Sequence, residues 1–110
     1  MKCVYVAGPL SLGDQKENVR LAMQAGSDLL SAGYAPLVPH AGFFTMEIAF
    51  PHADKVWLDA DLAWVLKADM VLRLPGPSAG ADTETKLAEE HGIPVFRGTA
   101  TEFLSRTRDA

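Results

Sequence analysis

Two carboxylates, one tyrosine and a loop of small residues are what can do chemistry in this sequence of 110 residues. Glu84 follows Ser78-Ala79-Gly80-Ala81, a run in which backbone N–H groups can approach a ligand closely. A carboxylate placed there can attack an anomeric carbon and form a covalent glycosyl ester. The plain alternative is a glutamate in a first helical turn, where the macrodipole favours it. Asp61 lies between Trp57 and Trp64 on one helical stripe. It can serve as acid/base or hold a sugar hydroxyl; as a solvated helix-face acid it would do neither. Ser78 and the Gly80 backbone can bind a phosphate or a sugar hydroxyl, or Ser78 can simply cap a helix. Tyr5 reads as a core residue whose hydroxyl, once buried, needs a partner, and an active-site acid would suit it.

Other chemistries find less support. No Gly-Lys-Ser/Thr follows the small-residue loop, so it is not a Walker A motif, and Gly8-Pro9 lacks the glycines of a dinucleotide fingerprint. No Cys/His cluster has metal-ligand spacing. An acidic cluster after the first strand, which a phosphoacceptor domain needs, is replaced by Gly8-Pro9. Among the histidines, His40 reads as site-lining, His91 as a helix-terminal residue, and His52 has no spacing that recommends it.

The positioning elements follow from periodicity and punctuation. Lys2 to Ala7 reads as a strand ended by Gly8-Pro9. Asp14 caps a helix to about Ala32, with Val19, Ala22, Met23, Gly26, Leu29 and Leu30 on one face and Gly33 at its end. Tyr34 to Val38, interrupted by Pro36, reads as an edge strand. His40 to Pro51 is irregular yet apolar, and reads as a cover over a site, a partner surface or the hiding place of a fifth strand. Asp54 to Lys67 is a helix with Leu58, Leu62, Val65 and Leu66 as its core stripe. Met70 to Leu74 reads as a buried strand, with Arg73 its only charge. Asp82 opens a helix to His91 that carries Glu84 in its first turn. Ile93 to Arg97 is another strand, and Thr99 or Thr101 caps a last helix to about Arg106.

Strands alternating with helices imply a single α/β domain over residues 1–110, with a parallel sheet of four or five strands and helices on both faces. Ligands bind at the C-terminal edge of such a sheet. Gly8-Pro9, His40, Pro75 to Gly80 and Gly98 converge there, and Glu84 and Asp61 are the acids best placed to reach it.

Composition sets the outer bounds. A chain that is 48% apolar can cover both faces of a sheet. A net charge of −4 with no basic stripe argues against binding nucleic-acid polymers. No stretch reads as a membrane span, and the N-terminus reads as a strand rather than a signal peptide. Cys3 is the only cysteine, so a cytoplasmic location is the default expectation.

Taken together, Tyr5-Val-Ala-Gly-Pro9, Asn18, Gly33 with Pro39-His40, Asp61-Leu-Ala-Trp64, Ala68-Asp69 and Ser78-x-Gly80-x-x-x-Glu84 carry a resemblance. The chain resembles the nucleoside 2-deoxyribosyltransferase family, including its relatives that hydrolyse the N-glycosidic bond of nucleoside 5′-monophosphates. The matching pieces run from residue 4 to about 96. The resemblance implies a flavodoxin-like (Rossmann-like) sheet, a homodimer or higher oligomer, and double displacement without a cofactor or metal.

By the same resemblance Glu84 is the nucleophile, Asp61 binds the sugar and assists proton transfer, and Tyr5 orients the nucleophile. Gly8, Pro9, His40, Ser78 and Gly80 would bind substrate. Ser78 falls where the monophosphate hydrolases have serine and the transferases an acid. That favours a phosphate, which a hydroxyl and N–H groups accept and a carboxylate repels. Ser105 corresponds to a serine that the hydrolase branch donates across its dimer. Asn18 is the only asparagine, so the residue that transferases supply from a neighbouring subunit has no counterpart. The implied reaction is cleavage or transfer at the N-glycosidic bond of a (2′-deoxy)nucleoside or its 5′-monophosphate. A nucleotide-binding module without catalysis is the alternative, since one fold hosts many functions.

Overall fold

Four short parallel strands in the order β2-β1-β3-β4 form the centre of the protein. They are β1 (Cys3–Ala7), β2 (Ala35–Leu37), β3 (Met70–Arg73) and β4 (Val95–Arg97). The computed structural model describes residues 1–109. β1 pairs with β2 and β3 in parallel register, with Tyr5 opposite Leu37 and Val71, and Ala7 opposite Arg73. The helices are α1 (Gln15–Ser31), α2 (Pro39–Gly42), α3 (Asp54–Val65), α4 (Ala79–Glu90) and α5 (Ala100–Asp109). A π-helical turn, Phe43–Glu47, continues α2.

Side-chain alternation along the strands divides the core into two layers. Val4, Val6, Leu72 and Leu74 face α1 and α5, packing on Ala22, Ala25, Leu29, Ala100 and Phe103. Tyr5, Ala7 and Val71 face the other way, onto Val65, Ala81 and Ala88 of α3 and α4. The sheet is therefore covered on both faces, as the alternating pattern requires. Truncating a fully buried residue such as Leu72 would cost about 2–5 kcal/mol. Two glycines set close approaches. A Cβ on Gly26 would stand 2.7 Å from Val38 Cγ2, so α1 lies tight against the end of β2. Gly76 has φ +111° and packs on Pro9, so the turn after β3 needs glycine there.

Several boundaries differ from the sequence expectation. α4 starts at Ala79, with Ser78 as its cap, rather than at Asp82. Ala79 and Ala81 are good helix formers and extend the helix backwards. Glu84 thus lies in the second turn, beyond the reach of a first-turn dipole effect. In α1 the buried face is Val19, Ala22, Ala25, Gly26 and Leu29. Met23 and Leu30 are exposed, because each is rotated about 100° beyond the buried residue before it. α3 ends at Val65, which exposes Leu66, and Trp64 also faces outward. Residues 39–49 are helical rather than irregular, and no fifth strand forms among the described residues. β2 is an edge strand, which explains how it accommodates Pro36. Among the described residues no helix is long and apolar enough to cross a membrane.

Candidate active site

The C-terminal ends of β1 and β3 open into a cavity of about 530 Å³ between the loop after β1, α2, α3 and the start of α4. Its walls include Gly8, His40, Asp61, Ser78, Gly80 and Glu84. Leu10, Leu12, Phe43, Trp57 and Leu58 add apolar lining, beside Asp54 and Lys55 at the start of α3.

Glu84 is buried at 7% exposure, and the Tyr5 hydroxyl donates a hydrogen bond to its Oε2. Tyr5 is fully buried on β1, beneath the cavity floor. Burial raises the Glu84 pKa to about 7; the Tyr5 hydrogen bond and the Arg73 charge pull it down, while Asp61 pushes it up. Burial alone pushes Asp61 up to about 6. Tyr5 is held in its neutral form, first by burial and then by the charges of Glu84 and Asp61. Asp61 and Glu84 thus line one cavity, with the neutral Tyr5 phenol behind Glu84, and both carboxyls change protonation near neutral pH.

Ser78 accepts from the Ala81 N–H at 3.1 Å, which is the simple cap, and leaves its own proton free to donate. The N–H groups of Ala79 and Gly80 have no partner within α4. The space where a Cβ of Gly80 would stand is empty. This corner of the cavity therefore presents donors. His40 Nε2 donates to the Pro9 carbonyl at 3.0 Å, and burial lowers the ring's pKa, which keeps it neutral. Asn18 donates from its amide to the carbonyls of Leu10 (3.0 Å) and Leu12 (2.7 Å), bracing the loop that forms one wall. Trp57 packs edge-on to Phe43 and donates from Nε1 to Glu47, which also accepts from the His52 N–H at 3.0 Å.

The structure thus brings together Gly8, His40, Asp61, Ser78, Gly80 and Glu84, with Tyr5 directly behind Glu84. Pro9 lines a separate groove of about 310 Å³ on the α1/α5 side. Ser105 is exposed on α5, which packs against α1, and it does not line the cavity. Gly98 lies outside it as well, where its N–H donates to the Arg73 carbonyl at 3.0 Å. Trp64 is exposed, so the expected pair of tryptophans around Asp61 reduces to Trp57. Phe43, from the apolar segment read as a cover, lines the cavity beside Trp57, whereas the part played by Arg73 was not read from the sequence. The signal for the latter was a lone charge in an apolar strand. Among the described residues, no three His, Cys, Asp or Glu side chains are grouped so as to hold a metal ion.

A family model described as a domain of unknown function (DUF7768) matches residues 2–97. No curated protein matches the sequence. Among solved structures the chain is similar to the 2-deoxyribosyltransferase of the psychrotolerant bacterium Bacillus psychrosaccharolyticus. The two are 20% identical with a TM-score of 0.68, over 86% of this chain and 70% of that one. At that identity the likeness establishes the fold.

Proposed function

The chain belongs to the DUF7768 family, and we propose that it cleaves the N-glycosidic bond of a (2′-deoxy)nucleoside or its 5′-monophosphate through a covalent glycosyl ester on Glu84. The observation that carries this reading is the buried Glu84 carboxyl, held through Oε2 by Tyr5 and facing a cavity that Asp61 also lines. The similar fold of a 2-deoxyribosyltransferase supports it.

In this reading the free Oε1 of Glu84 attacks C1′, and the C–N bond breaks with its electron pair going to the base. Asp61 delivers a proton to the departing base. Water or a second base then attacks C1′, its proton passes to Asp61, and Glu84 leaves as a carboxylate. With water the outcome is hydrolysis; with a base it is transfer. The reactive state carries one proton on the carboxyl pair, on Asp61 with Glu84 ionised; because Glu84 at about 7 is a weaker acid than Asp61 at about 6, this is the minor of the two singly protonated forms. The apolar wall of Phe43, Trp57, Leu10 and Leu12 suits a flat base and excludes water from the ester.

One observation favours a 5′-monophosphate over a free nucleoside. Ser78 and the unpaired N–H groups at the start of α4 form the donor corner of the cavity, and a phosphate fits such donors. Residues 1–110 act as one such domain in this proposal, in the cytoplasm and as a homo-oligomer. Exposed Met46, Ile48, Phe50, Val56 and Trp64 offer an apolar surface to a second copy. Ser105 would reach a site only from such a copy.

The test is chromatography of the protein with deoxynucleosides and their 5′-monophosphates, each with and without a free base, beside Glu84→Gln. Release of base from a substrate, absent in Glu84→Gln, is the expected result. Ligand binding with no bond cleavage would leave a nucleotide-binding module.

A further inference from the structure

Arg73 is a charged side chain on β3 with only 9% exposure. It pairs with Ala7 across the sheet, so it shares a face with Tyr5 and points toward α4. Its guanidinium donates to the carbonyls of Leu74 and Gly76 and to Asp82 Oδ1, the last two at 2.9 and 3.0 Å. Those three groups are the start of the turn after β3, the glycine of that turn and the first turn of α4. Burying a guanidinium costs several kcal/mol, about as much as a good ion pair returns. The Asp82 partner is 72% exposed, so the pair adds little to stability. An apolar residue would pack this position at lower cost. What only the fork of a guanidinium supplies is several directed bonds at once.

We infer that Arg73 is a positioning residue for Glu84: it clamps the turn and the first turn of α4 to the end of β3 and keeps a positive charge behind the carboxyl that Tyr5 holds from β1. The inference rests on the reading of Glu84 as the nucleophile, which lies two residues after the clamped Asp82. Arg73 does not line the cavity and touches no substrate. Tyr5 from β1, Asp61 from α3 and Arg73 from β3 act on the Glu84 carboxyl, and His40, Asp54 and Lys55 line the same cavity. Of the three that act on it, only Arg73 is a cation. Its loss leaves the nucleophile protonated over a wider range of pH.

The experiment follows the Glu84 carboxyl carbon by NMR titration of the whole labelled chain, with Glu84→Gln assigning the signal. In Arg73→Met the midpoint rises by roughly half a pH unit or more. In Arg73→Lys, which keeps the charge without the fork, it rises less, while the amides of Gly76 and of Ser78 to Ala81 exchange faster. An unchanged midpoint in Arg73→Met overturns the inference. Should that variant not fold, Arg73→Gln makes the same comparison, since its amide can still donate to the turn carbonyls. Unchanged exchange in Arg73→Lys overturns the clamp. The titration needs no turnover, so it separates this inference from the proposed function. A wild-type chain that cleaves nothing defeats the latter and leaves the titration to decide the former.

Discussion

The Tyr5 hydroxyl donates to the Glu84 carboxyl across 79 positions of sequence, joining the central strand to the second turn of α4. Neither group has another way to be buried there. A buried phenol needs a partner, and a buried carboxylate needs a donor. Replacing Tyr5 by Phe removes the donor while keeping the packing. Because that hydrogen bond lowers the Glu84 pKa, its loss raises it. Turnover at neutral pH should fall roughly 10–100-fold, as for loss of a hydrogen bond to a charged group. A pH–rate profile whose maximum falls and shifts to higher pH in Tyr5→Phe is the check.

Glu84→Gln should abolish turnover, by roughly 10³-fold or more, since it removes the nucleophile. A variant that retains turnover, measured by release of base, would exclude the covalent route through this residue.

The same substitution should stabilise the protein at alkaline pH. Glu84 has a folded pKa of about 7, above its ordinary value of 4.5. Between those values the native state holds more protons than the unfolded chain, so stability falls as pH rises. Above about pH 7 the destabilisation is complete, at up to about 3 kcal/mol. Thermal melts at pH 4.5 and pH 8 should show the wild type losing more stability than Glu84→Gln over that interval. Parallel losses would mean the carboxyl is not desolvated as described.

Activity should follow a bell-shaped pH profile. The reactive state needs one proton on the Glu84–Asp61 pair, whose members lie at about 7 and about 6. Rates should peak between those values, falling below as both carboxyls protonate and above as both ionise. In Asp61→Asn the alkaline limb should disappear. Initial rates across pH 4–9 provide the measurement.

Ser78→Asp should separate monophosphates from free nucleosides. Aspartate still caps α4, so the fold is kept. It places a carboxylate in the donor corner, where a phosphate would be repelled. KM for a 5′-monophosphate should rise by tenfold or more, on the order of one lost charge-assisted hydrogen bond, with nucleoside turnover little changed. Equal effects on both substrates would remove the phosphate from that corner.

Much of the architecture was legible in the sequence because it depends on local chemistry. Apolar runs of strand length, Asp14 and Gly33 at the ends of α1, and Pro36 in β2 each mark a local boundary, and their alternation implies a doubly covered parallel sheet. Glu84 and Ser78 could be named because strand, turn and helix follow one another directly around them, and Asp61 because helical spacing sets it beside Trp57. The start of α4 was misread because small residues satisfy both a loop and a first helical turn, and only the Ser78 cap decides between them. The helical course of residues 39–49 was not read from the sequence; there Phe43 packs edge-on to Trp57 of α3, a contact that no local pattern encodes. Tertiary structure alone aimed Tyr5 and Arg73 at the same helix from neighbouring strands, because register and side-chain alternation fix which face each one takes. Burial of Glu84, and with it the raised pKa that makes it distinctive, likewise came only when α3, α4 and the sheet closed around it.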